Sequence, residues 1–480
     1  MEGDVNFFGR EDLIESLTSL WGKRVGSLCT CRGRRRIGKS TLIEHFARLS
    51  EARFIRIEGV KPQAGYANAS ELRAFSIQLS AQTDCSDDIP TDWLKAFIRL
   101  DEQIDDRKTV VLIDEVSWLG HYDAMFADIV KLAWDNYWKK HDNLIVVLCG
   151  SVSSWIREQI IDNSAFMGRR SLDIVVKELP LRECVKFWGN AAARISRREI
   201  VDVLSVTGGV PRYLEEVDPG LSADENIRRM AFSPRSTLRT DFDEMFADVI
   251  TRQQQLTGKI LRALKTVPLS VSEIAEALGI DRGGKISEAL QQLEEAGLVA
   301  VDTGRNPESG VIVRERRYRL RDNYTKFYLN HIEPRKDVID DGSYGFVSLE
   351  SLEGWDVDMG YAFENLVVNN YQELLGHLHL GHALVESAAP FRRTKSASGS
   401  GVQVDLMLQT RKSVYLVEIK RKNEIGREVE AEIEQKESRI AIARGKSFRR
   451  ALVYEGHLAP IVEADGYFDA IIPFRRLLGL

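Results

Sequence analysis

The stretch VGSLCTCRGRRRIGKSTLIEHFARLS, residues 25–50, decides the fold of the amino-terminal part of this 480-residue chain. An apolar run, a basic loop bounded by glycines and an amphipathic segment follow one another, which predicts a strand, a tight loop and a helix. The loop GRRRIGKS, residues 33–40, fits the pattern G-x-x-x-x-G-K-[ST] in full. Because the backbone amides of such a loop and the start of the next helix face an anion, the stretch predicts a phosphate-binding loop.

The residues of this loop have separate predicted roles in holding ATP and Mg²⁺. Gly33 and Gly38 let the backbone wrap closely around the phosphates. Lys39 is predicted to neutralise the β- and γ-phosphates, Ser40 to offer its hydroxyl to Mg²⁺, and Thr41 to touch the α-phosphate. The residues between the glycines complete the predicted cofactor-binding set: Arg34, Arg35, Arg36 and Ile37.

A pair of acids follows the apolar run of VVLIDEVSWL, residues 110–119. Ligands of open α/β sheets bind at the carboxyl ends of the strands, where this pair is placed. Asp114 is therefore predicted to hold the Mg²⁺ shell and Glu115 to polarise the attacking water. The next apolar run, LIVVLCGS at residues 144–151, predicts a P-loop class with an additional strand beside the loop strand. Ser151 at its end is predicted either to sense the γ-phosphate or to cap the next helix.

Composition sets limits on the partners and the compartment. Lys and Arg number 66 against 72 Asp and Glu, a net charge of -6, so any contact with nucleic acid must come from local patches. The five cysteines form no C-x-x-C pair, which argues against zinc and disulfides and predicts the reducing cytoplasm. The apolar runs fall short of the ~20 residues that cross a bilayer, so no membrane partner is expected.

Periodicity along the chain predicts an α/β protein with five segments. Residues 1–180 alternate strands and helices, as in a P-loop NTPase parallel sheet, and residues 181–250 are predicted to form a helical lid. Residues 251–330 read as three helices and two strands, which is a winged helix-turn-helix. The polar residues 331–353 are predicted to be a linker, and residues 354–480 a second α/β domain.

The predicted recognition helix of the winged helix-turn-helix, near residues 284–296, has mixed charge. Lys285 favours phosphate, whereas Glu288, Glu294 and Glu295 repel it. Contact with DNA and a role as a hinge between domains therefore both stay open. The strand region that follows is rich in arginines, of which at least one row is expected to meet solvent or phosphate: Arg314, Arg316, Arg317, Arg319 and Arg321.

Two adjacent strands are predicted from GVQVDLMLQ, residues 401–409, and SVYLVEIKRK, residues 413–422. Side chains alternate along a strand, so Glu418 and Lys420 share one face, with Asp405 on the neighbouring strand and Glu364 on an earlier helix. Asp405 and Glu418 are predicted to hold Mg²⁺, which polarises a phosphodiester. Lys420 is predicted to orient the water, and Glu364 completes the predicted catalytic set.

The order of an acid, an Asp and Glu-x-Lys on helix, strand and strand resembles the PD-(D/E)xK nuclease superfamily. The resemblance implies a restriction-endonuclease-like fold for residues 354–480. Gln435 and Lys436 on the following helix resemble the polar pair of Holliday-junction-resolvase-like members. The chain departs from the pattern at Val404, where the name of the superfamily implies proline.

The first half of the chain resembles the archaeal-type P-loop ATPases of the STAND/AAA-related group. The resemblance implies that Phe8 and Arg10 lie near the base of the nucleotide. It rests on six motifs: FFGRE at 7–11, GRRRIGKST at 33–41, VVLIDE at 110–115, LCGS at 148–151, GRR at 168–170 and GGVPRYL at 208–214.

Three arginines are candidates for coupling the nucleotide to motion. Arg169 and Arg170 stand just before the last strand of the core, and one of them is predicted to act as an arginine finger, the alternative being an ordinary exposed pair. Arg212 is predicted to report the nucleotide state to the lid, the alternative being a helix start with proline in its first turn.

Together these features predict an ATP-binding and ATP-hydrolysing protein that acts on DNA, with a C-terminal Mg²⁺-dependent nuclease-like domain and nucleotide-dependent homo-oligomerisation. Two alternatives stay open. One is a STAND-type ATP-dependent regulatory switch whose last domain binds a partner without cleaving it. The other is an ATPase that remodels or loads onto DNA.

Overall fold

The computed structural model describes residues 7–151, 153–248, 254–381, 384–393 and 401–480. The chain divides into two compact units. The first is Met1–Glu178 with Met245–Thr251 and Gln291–Gly297, and the second is Leu179–Glu244, Arg252–Leu290 and Leu298–Leu480. The predicted boundary between residues 250 and 251 lies outside the described residues.

The first unit contains five strands: β1 Ser27–Arg32, β2 Arg53–Glu58, β3 Thr109–Asp114, β4 Leu144–Gly150 and β5 Arg170–Val175. They form one parallel sheet in the order β2-β3-β4-β1-β5. Every residue of β3 and β4 is buried, as their uninterrupted apolar runs predicted. Because β4 pairs with both β3 and β1, the expectation of an additional strand beside the loop strand is confirmed.

Helices cover this sheet, and aromatic side chains fill much of the space between them. The rings of Trp93, Phe97 and Phe126 have centroids 5.0–5.8 Å apart, and all three side chains are buried. The helices are α1 Glu11–Thr18, α2 Lys39–Leu49, α3 Asn68–Ser80, α4 Trp93–Asp101, α5 Val116–Leu119, α6 Phe126–Asn136 and α7 Ser153–Ile156.

The second unit begins with helices, as the absence of a strand pattern predicted. Ser222 and Glu225 form a reciprocal capping box at the start of one of them, which satisfies backbone amides there. The helices are α8 Leu181–Cys184, α9 Arg197–Thr207, α10 Pro211–Leu214, α11 Ala223–Ala231 and α12 Thr237–Asp248.

A three-helix segment with a small antiparallel sheet follows. Its helices are α13 Gln254–Leu264, α14 Val271–Leu278 and α15 Gly284–Glu295. Its strands are β6 Leu269–Ser270, β7 Val299–Asp302 and β8 Arg317–Leu320, in the order β6-β8-β7. The sequence predicted β7 and β8 but not β6, since two residues are too short to show alternation.

Residues 331–353 are not a linker, and the structure corrects that prediction. The segment continues from α16, Asn323–Phe327, through helical turns into α17, Lys336–Asp340. His331, Ile339 and Leu349 are buried, and the ring of His331 lies 5.3 Å from that of Trp355. The polar composition of the segment hid the few apolar side chains that hold it in the core.

A separate five-stranded sheet completes the second unit. Its strands are β9 Val385–Arg393, β10 Val402–Thr410, β11 Ser413–Ile425, β12 Ser447–Leu458 and β13 Ala470–Pro473, in the order β13-β12-β11-β10-β9. Strands β9, β10 and β11 pair antiparallel, whereas β11, β12 and β13 pair parallel. The helices are α18 Trp355–Asn369, α19 Tyr371–His377, α20 Glu428–Ser438 and α21 Pro460–Ala464.

Among the described helices, none combines the length and the apolar character that crossing a bilayer requires.

Candidate functional site

The loop from Gly33 to Gly38 joins β1 to α2 in a geometry that needs both glycines. At Gly33 the φ angle is +154°, and a Cβ atom there would lie 2.4 Å from the carbonyl oxygen of Val176. Gly38 has a φ of 85° and precedes the first residue of α2. A side chain at either position would be strained, so the curve of the loop depends on these two residues.

Lys39 lies inside this curve. Its ammonium donates hydrogen bonds to the carbonyl oxygens of Gly33 and Arg34, both at 3.1 Å, and the residue is 7% exposed. The loop therefore holds a buried positive charge against its own backbone. The other loop side chains differ in placement, because Ile37 is fully buried in the core whereas Thr41 is exposed.

Ser40 and Asp114 meet at the edge of the sheet, where the sequence predicted a Mg²⁺ site. The Ser40 hydroxyl donates to Oδ2 of Asp114 at 2.6 Å. The Arg56 guanidinium donates to the same oxygen at 2.9 Å and to Glu58 at 2.9 Å. A hydroxyl beside a carboxylate fits the oxygen ligands that Mg²⁺ takes, so this donor set is compatible with the ion.

Arg56 was not among the predicted site residues. It lies on β2, which pairs in parallel with β3, so the carboxyl ends of both strands meet at one edge. Burial raises the pKa of Glu58; Arg56 lowers it, and Asp114 and Glu115 raise it further. No local signal in the sequence pointed to Arg56, because its contact with Asp114 depends on the pairing of β2 with β3.

Glu115 and Ser151 form a second contact at this edge. Glu115 has a left-handed backbone with φ of 45°, and its Oε2 accepts hydrogen bonds from Ser151 Oγ at 2.9 Å and from the Ser151 amide at 3.2 Å. Ser151 thus orients the acid that the sequence assigned to the attacking water. Its role as a sensor of the γ-phosphate stays a prediction.

The segment that precedes α1 lies against the loop. Arg10 donates to the carbonyl oxygens of Ile37 at 3.0 Å and Lys177 at 2.8 Å, while Phe8 is half-buried. Phe7 stacks on His45 with ring centroids 3.8 Å apart. Arg10 therefore braces the loop backbone, and the contact of Phe8 and Arg10 with a nucleotide base stays a prediction.

The two candidates for an arginine finger, Arg169 and Arg170, and the predicted nucleotide-state reporter Arg212 all pair with acids of their own chain. Arg169 donates to both oxygens of Asp135, at 2.8 and 3.0 Å, and lowers the pKa of that acid to about 2. Arg170, which is the first residue of β5, pairs with Asp173. Arg212 pairs with two acids of the adjoining turn: Glu215 and Glu216. These contacts favour structural roles and lend no support to a finger or a sensor.

The predicted C-terminal residues converge where β10 and β11 pair. The Asp405 carboxylate accepts the Ile419 amide at 2.9 Å, which ties it to β11. The Lys420 ammonium lies 2.9 Å from Oε1 of Glu418, and the Lys436 ammonium donates to Oε2 at 2.6 Å. One further acid was not predicted: Glu432, 2.6 Å from Lys420.

The acids of this cluster raise one another's pKa. Burial, with the nearby Asp405, raises the pKa of Glu364 on α18 to about 8. Burial, with Glu418, raises the pKa of Asp405 to about 6. Carboxyls that cost free energy to ionise together form a region in which a cation is favoured.

A Mg²⁺ ion fits two of these carboxylates. Glu418 is 1% exposed, and an ammonium group already lies against each of its oxygens, Lys420 at Oε1 and Lys436 at Oε2, so an ion has to compete with both. Asp405 is 9% exposed and lies beside it on the paired strand. Within the described ranges no group of three or more His, Cys, Asp or Glu side chains is arranged to hold a metal. Two carboxylates remain sufficient in principle, because Mg²⁺ keeps several waters.

The arginines that follow the recognition helix divide into two sets. Arg317 pairs with Glu273 at 3.1 Å, and Arg319 pairs with Asp302 at 3.3 Å and donates to Asn369 at 3.3 Å. These two are half-buried and paired, as Arg321 is half-buried, so the row that meets solvent, of which the sequence predicted at least one, is the other one. Two members are exposed: Arg314 and Arg316.

Comparison with known proteins defines the class of the first part of the chain. Residues 7–217 match the family described as an ATPase domain predominantly from Archaea, and residues 258–302 match a helix-turn-helix domain. The chain therefore contains an archaeal-type ATPase domain followed by a helix-turn-helix domain.

Individual relatives are distant. An uncharacterized protein of Methanocaldococcus jannaschii is 22% identical over 363 residues, which are 75% of this chain and 76% of the relative. The Walker-type ATPase of Pyrococcus abyssi is similar in structure with a TM-score of 0.50 at 17% identity, over 67% of this chain and 96% of the other, and shows the fold alone. The ORC2 protein of Aeropyrum pernix aligns with a TM-score of 0.42 at 13% identity, over 72% and 97% of the two chains.

Proposed function

We propose that this ATPase acts on DNA and that residues 354–480 form a Mg²⁺-dependent nuclease-like domain. The observation that carries the second part is the convergence of Asp405, Glu418 and Lys420 on paired strands. The proposal also includes the other domain limits predicted from the sequence, residues 1–180, 181–250 and 251–330. It does not include the linker.

The ATPase roles are supported by the contacts at the sheet edge. Lys39 has its charge inside the loop and Ser40 touches Asp114, which supports the proposal that these residues hold the phosphates and Mg²⁺. Glu115, held by Ser151, is the acid proposed to orient the attacking water. Removal of the Lys39 ammonium is expected to weaken ATP binding, since the phosphates lose their neutralising charge.

The nuclease-like role is supported by the chemistry that four side chains can perform together: Glu364, Asp405, Glu418 and Lys420. When bound, Mg²⁺ polarises a phosphodiester oxygen and lowers the pKa of a bound water. Asp405 and Glu418 supply the oxygen ligands, and Glu364 contributes a third carboxyl nearby. Lys420 supplies a fixed positive charge where negative charge develops on the phosphate.

DNA is the proposed substrate because the chain contains a helix-turn-helix domain, and most of its residues, 258–290 and 298–302, belong to the same unit as this cluster. The exposed basic residues available for phosphate contact include Arg282 and Lys285 at the start of α15 and Arg314 and Arg316 beyond it. Their limited number predicts modest affinity that falls as salt concentration rises.

A cleavage assay tests the proposal. The full chain is incubated with Mg²⁺ or Mn²⁺ and with linear, nicked, overhanging and branched DNA, with and without ATP. We expect a metal-dependent product that Asp405→Ala and Lys420→Ala abolish and that Asp465→Ala, an exposed-pair control in the same domain, leaves unchanged. The proposal fails if no metal gives a product, or if Asp405→Ala gives the same product.

A second candidate function is an ATP-dependent regulatory switch with a C-terminal domain that binds without cleaving. One observation favours it, which is that Glu418 is contacted by two ammonium groups, Lys420 and Lys436. Such a pairing can serve stability alone. Slow ATP turnover with nucleotide-dependent oligomerisation and no cleavage would favour this candidate over the first.

A further inference from the structure

A cavity of about 200 Å³ lies in the second unit beside the proposed nuclease-like site. Residues of β8, α16, α18, β9 and β10 line it, and Glu364 is among them. Gln403, two residues before Asp405 on β10, lines it as well. The cavity therefore opens next to the carboxylates that are proposed to hold the metal.

Most charges on the cavity wall neutralise one another. Arg317 pairs with Glu273 at 3.1 Å and stands 3.9 Å from Glu315, and Arg319 pairs with Asp302 at 3.3 Å. These contacts hold both arginines in place, so neither guanidinium is the main attraction for a ligand.

Two cations of the wall are different. Lys326 and Arg392 form no ion pair with the carboxylates of the described residues. The Lys326 ammonium lies 4.5 Å from the ring centroid of Tyr361, and burial lowers the pKa of this lysine. Asp358 and Glu364 oppose this effect without forming an ion pair with Lys326, so a ligand's negative charge further stabilises the half-buried ammonium. The wall thus presents to the cavity two cations, Lys326 and Arg392, that no ion pair of the described residues occupies.

The same wall carries aromatic surface. Tyr361 is exposed and Phe391 is half-buried, and both line the cavity. Cations that follow a phosphate backbone, together with aromatic rings on which bases stack, are the features by which proteins bind unpaired nucleic acid. A space of this size is too small for a double helix, so a base enters only when it has left the stack.

We propose that this cavity binds one unpaired nucleotide of the strand on which the Asp405 and Glu418 carboxylates act, an inference that rests on the proposed function. Lys326 and Arg392 contact the phosphate, and Tyr361 and Phe391 contact the base. The substrate is therefore a strand end, an overhang or a branch rather than a perfect blunt duplex.

The test measures DNA binding with the full chain carrying Asp405→Ala, so that cleavage does not consume the probe. A labelled single strand, a duplex with an unpaired overhang and a blunt duplex of equal length are compared by fluorescence anisotropy. We expect the first two to bind at least tenfold more tightly than the blunt duplex. Lys326→Ala or Arg392→Ala should weaken the two tighter complexes about tenfold, and Lys326→Arg should restore part of the loss.

Two controls keep the test specific. Lys412→Ala removes an exposed lysine from the turn between β10 and β11 and should change nothing. Arg392 is exposed, so its replacement carries little risk to folding even if Lys326→Ala does not fold.

Equal binding of all three probes, or unchanged binding by both alanine variants, overturns the inference. The inference also fails if free deoxynucleoside monophosphate displaces the labelled strand at concentrations far below that of the strand itself. The site would then bind a small molecule. Failure of the proposed function is distinct, since it appears as absence of cleavage in the chain that retains Asp405.

Discussion

Arg56 and Asp114 set the electrostatics of the nucleotide site at the scale of single residues. The carboxylate oxygen that accepts the Ser40 hydroxyl also accepts the Arg56 guanidinium. A cation of the protein therefore already neutralises the oxygen that Mg²⁺ is proposed to share. Binding of the ion has to compete with this contact.

Removal of Arg56 is expected to strengthen the response to Mg²⁺. In Arg56→Ala the Asp114 carboxylate loses a competing cation, so half-maximal ATP hydrolysis should need several-fold less Mg²⁺. The measurement is hydrolysis rate against Mg²⁺ concentration at saturating ATP. Arg53→Ala on the same strand, which pairs with Asp105 at 3.5 Å, is the matched control. An unchanged or increased Mg²⁺ requirement in Arg56→Ala contradicts the competition.

The titration of the Glu364 carboxyl makes the free energy of unfolding depend on pH. Its pKa is raised from 4.5 to about 8, so between these values the folded chain holds a proton that the unfolded chain has released. Its contribution to the free energy of unfolding therefore falls as pH rises through this window, and the loss is complete above pH 8.

Glu364→Gln should remove this dependence. Chemical unfolding without metal, at pH 5 and pH 9, should show a smaller loss of stability in the variant than in the parent chain. Glu353→Gln, an exposed position just before α18, should behave like the parent chain. The same loss in Glu364→Gln and the parent chain would show that Glu364 does not titrate in this window.

At the scale of elements, the turn between β1 and α2 has the strictest geometry. The carbonyl of Val176, after β5, lies where a side chain at position 33 would stand. The phosphate-binding loop thus depends on a close approach between segments that are far apart in the sequence.

Gly33→Ala is expected to destabilise this element and to weaken ATP binding at least tenfold. The added methyl group forces the loop away from Val176, at a cost of about 1–3 kcal/mol. Calorimetric titration with ATP measures the effect. Gly22→Ala, where a Cβ atom meets nothing within 4 Å, should bind ATP as the parent chain does. If Gly33→Ala binds ATP as tightly as the parent chain, the loop accommodates the added methyl group and the prediction is wrong.

At the scale of the whole molecule, the second unit joins the helices after residue 178 to the C-terminal sheet. Asp202 on α9 pairs with Arg421, the residue after Lys420 on β11. Their side chains are 19% and 10% exposed. An ion pair that is largely withdrawn from water therefore connects a helix of the predicted lid to the strand that carries the proposed catalytic lysine.

Arg421→Met should destabilise the second unit by about 3–5 kcal/mol, because Asp202 is left without its partner. Arg421→Met with Asp202→Leu should recover much of the loss. Urea unfolding followed by tryptophan fluorescence measures both. Arg427→Met breaks an exposed pair with Asp465 and should cost about 0–1 kcal/mol. If Arg421→Met and Arg427→Met lower the free energy of unfolding equally, the Asp202–Arg421 ion pair contributes no more than an exposed pair.

Features that depend on residues close together in the sequence could be predicted from the sequence alone. The loop GRRRIGKS places its glycines and Lys39 by spacing within eight residues, and the alternation on β11 places Glu418 beside Lys420. The uninterrupted apolar runs identified the buried parallel strands. Periodicity and motif spacing are local, so the amino-acid order contains them.

Contacts between distant segments were decided only by folding. Arg56 on β2 reaches Asp114 on the neighbouring β3, Arg319 donates to Asn369 on α18, and Lys326 faces a cavity that Glu364 also lines. Residues 331–353 fold because a few apolar side chains find partners such as Trp355. The polarity of a segment describes its average preference for water, whereas its final place depends on which surfaces the rest of the chain leaves to be buried.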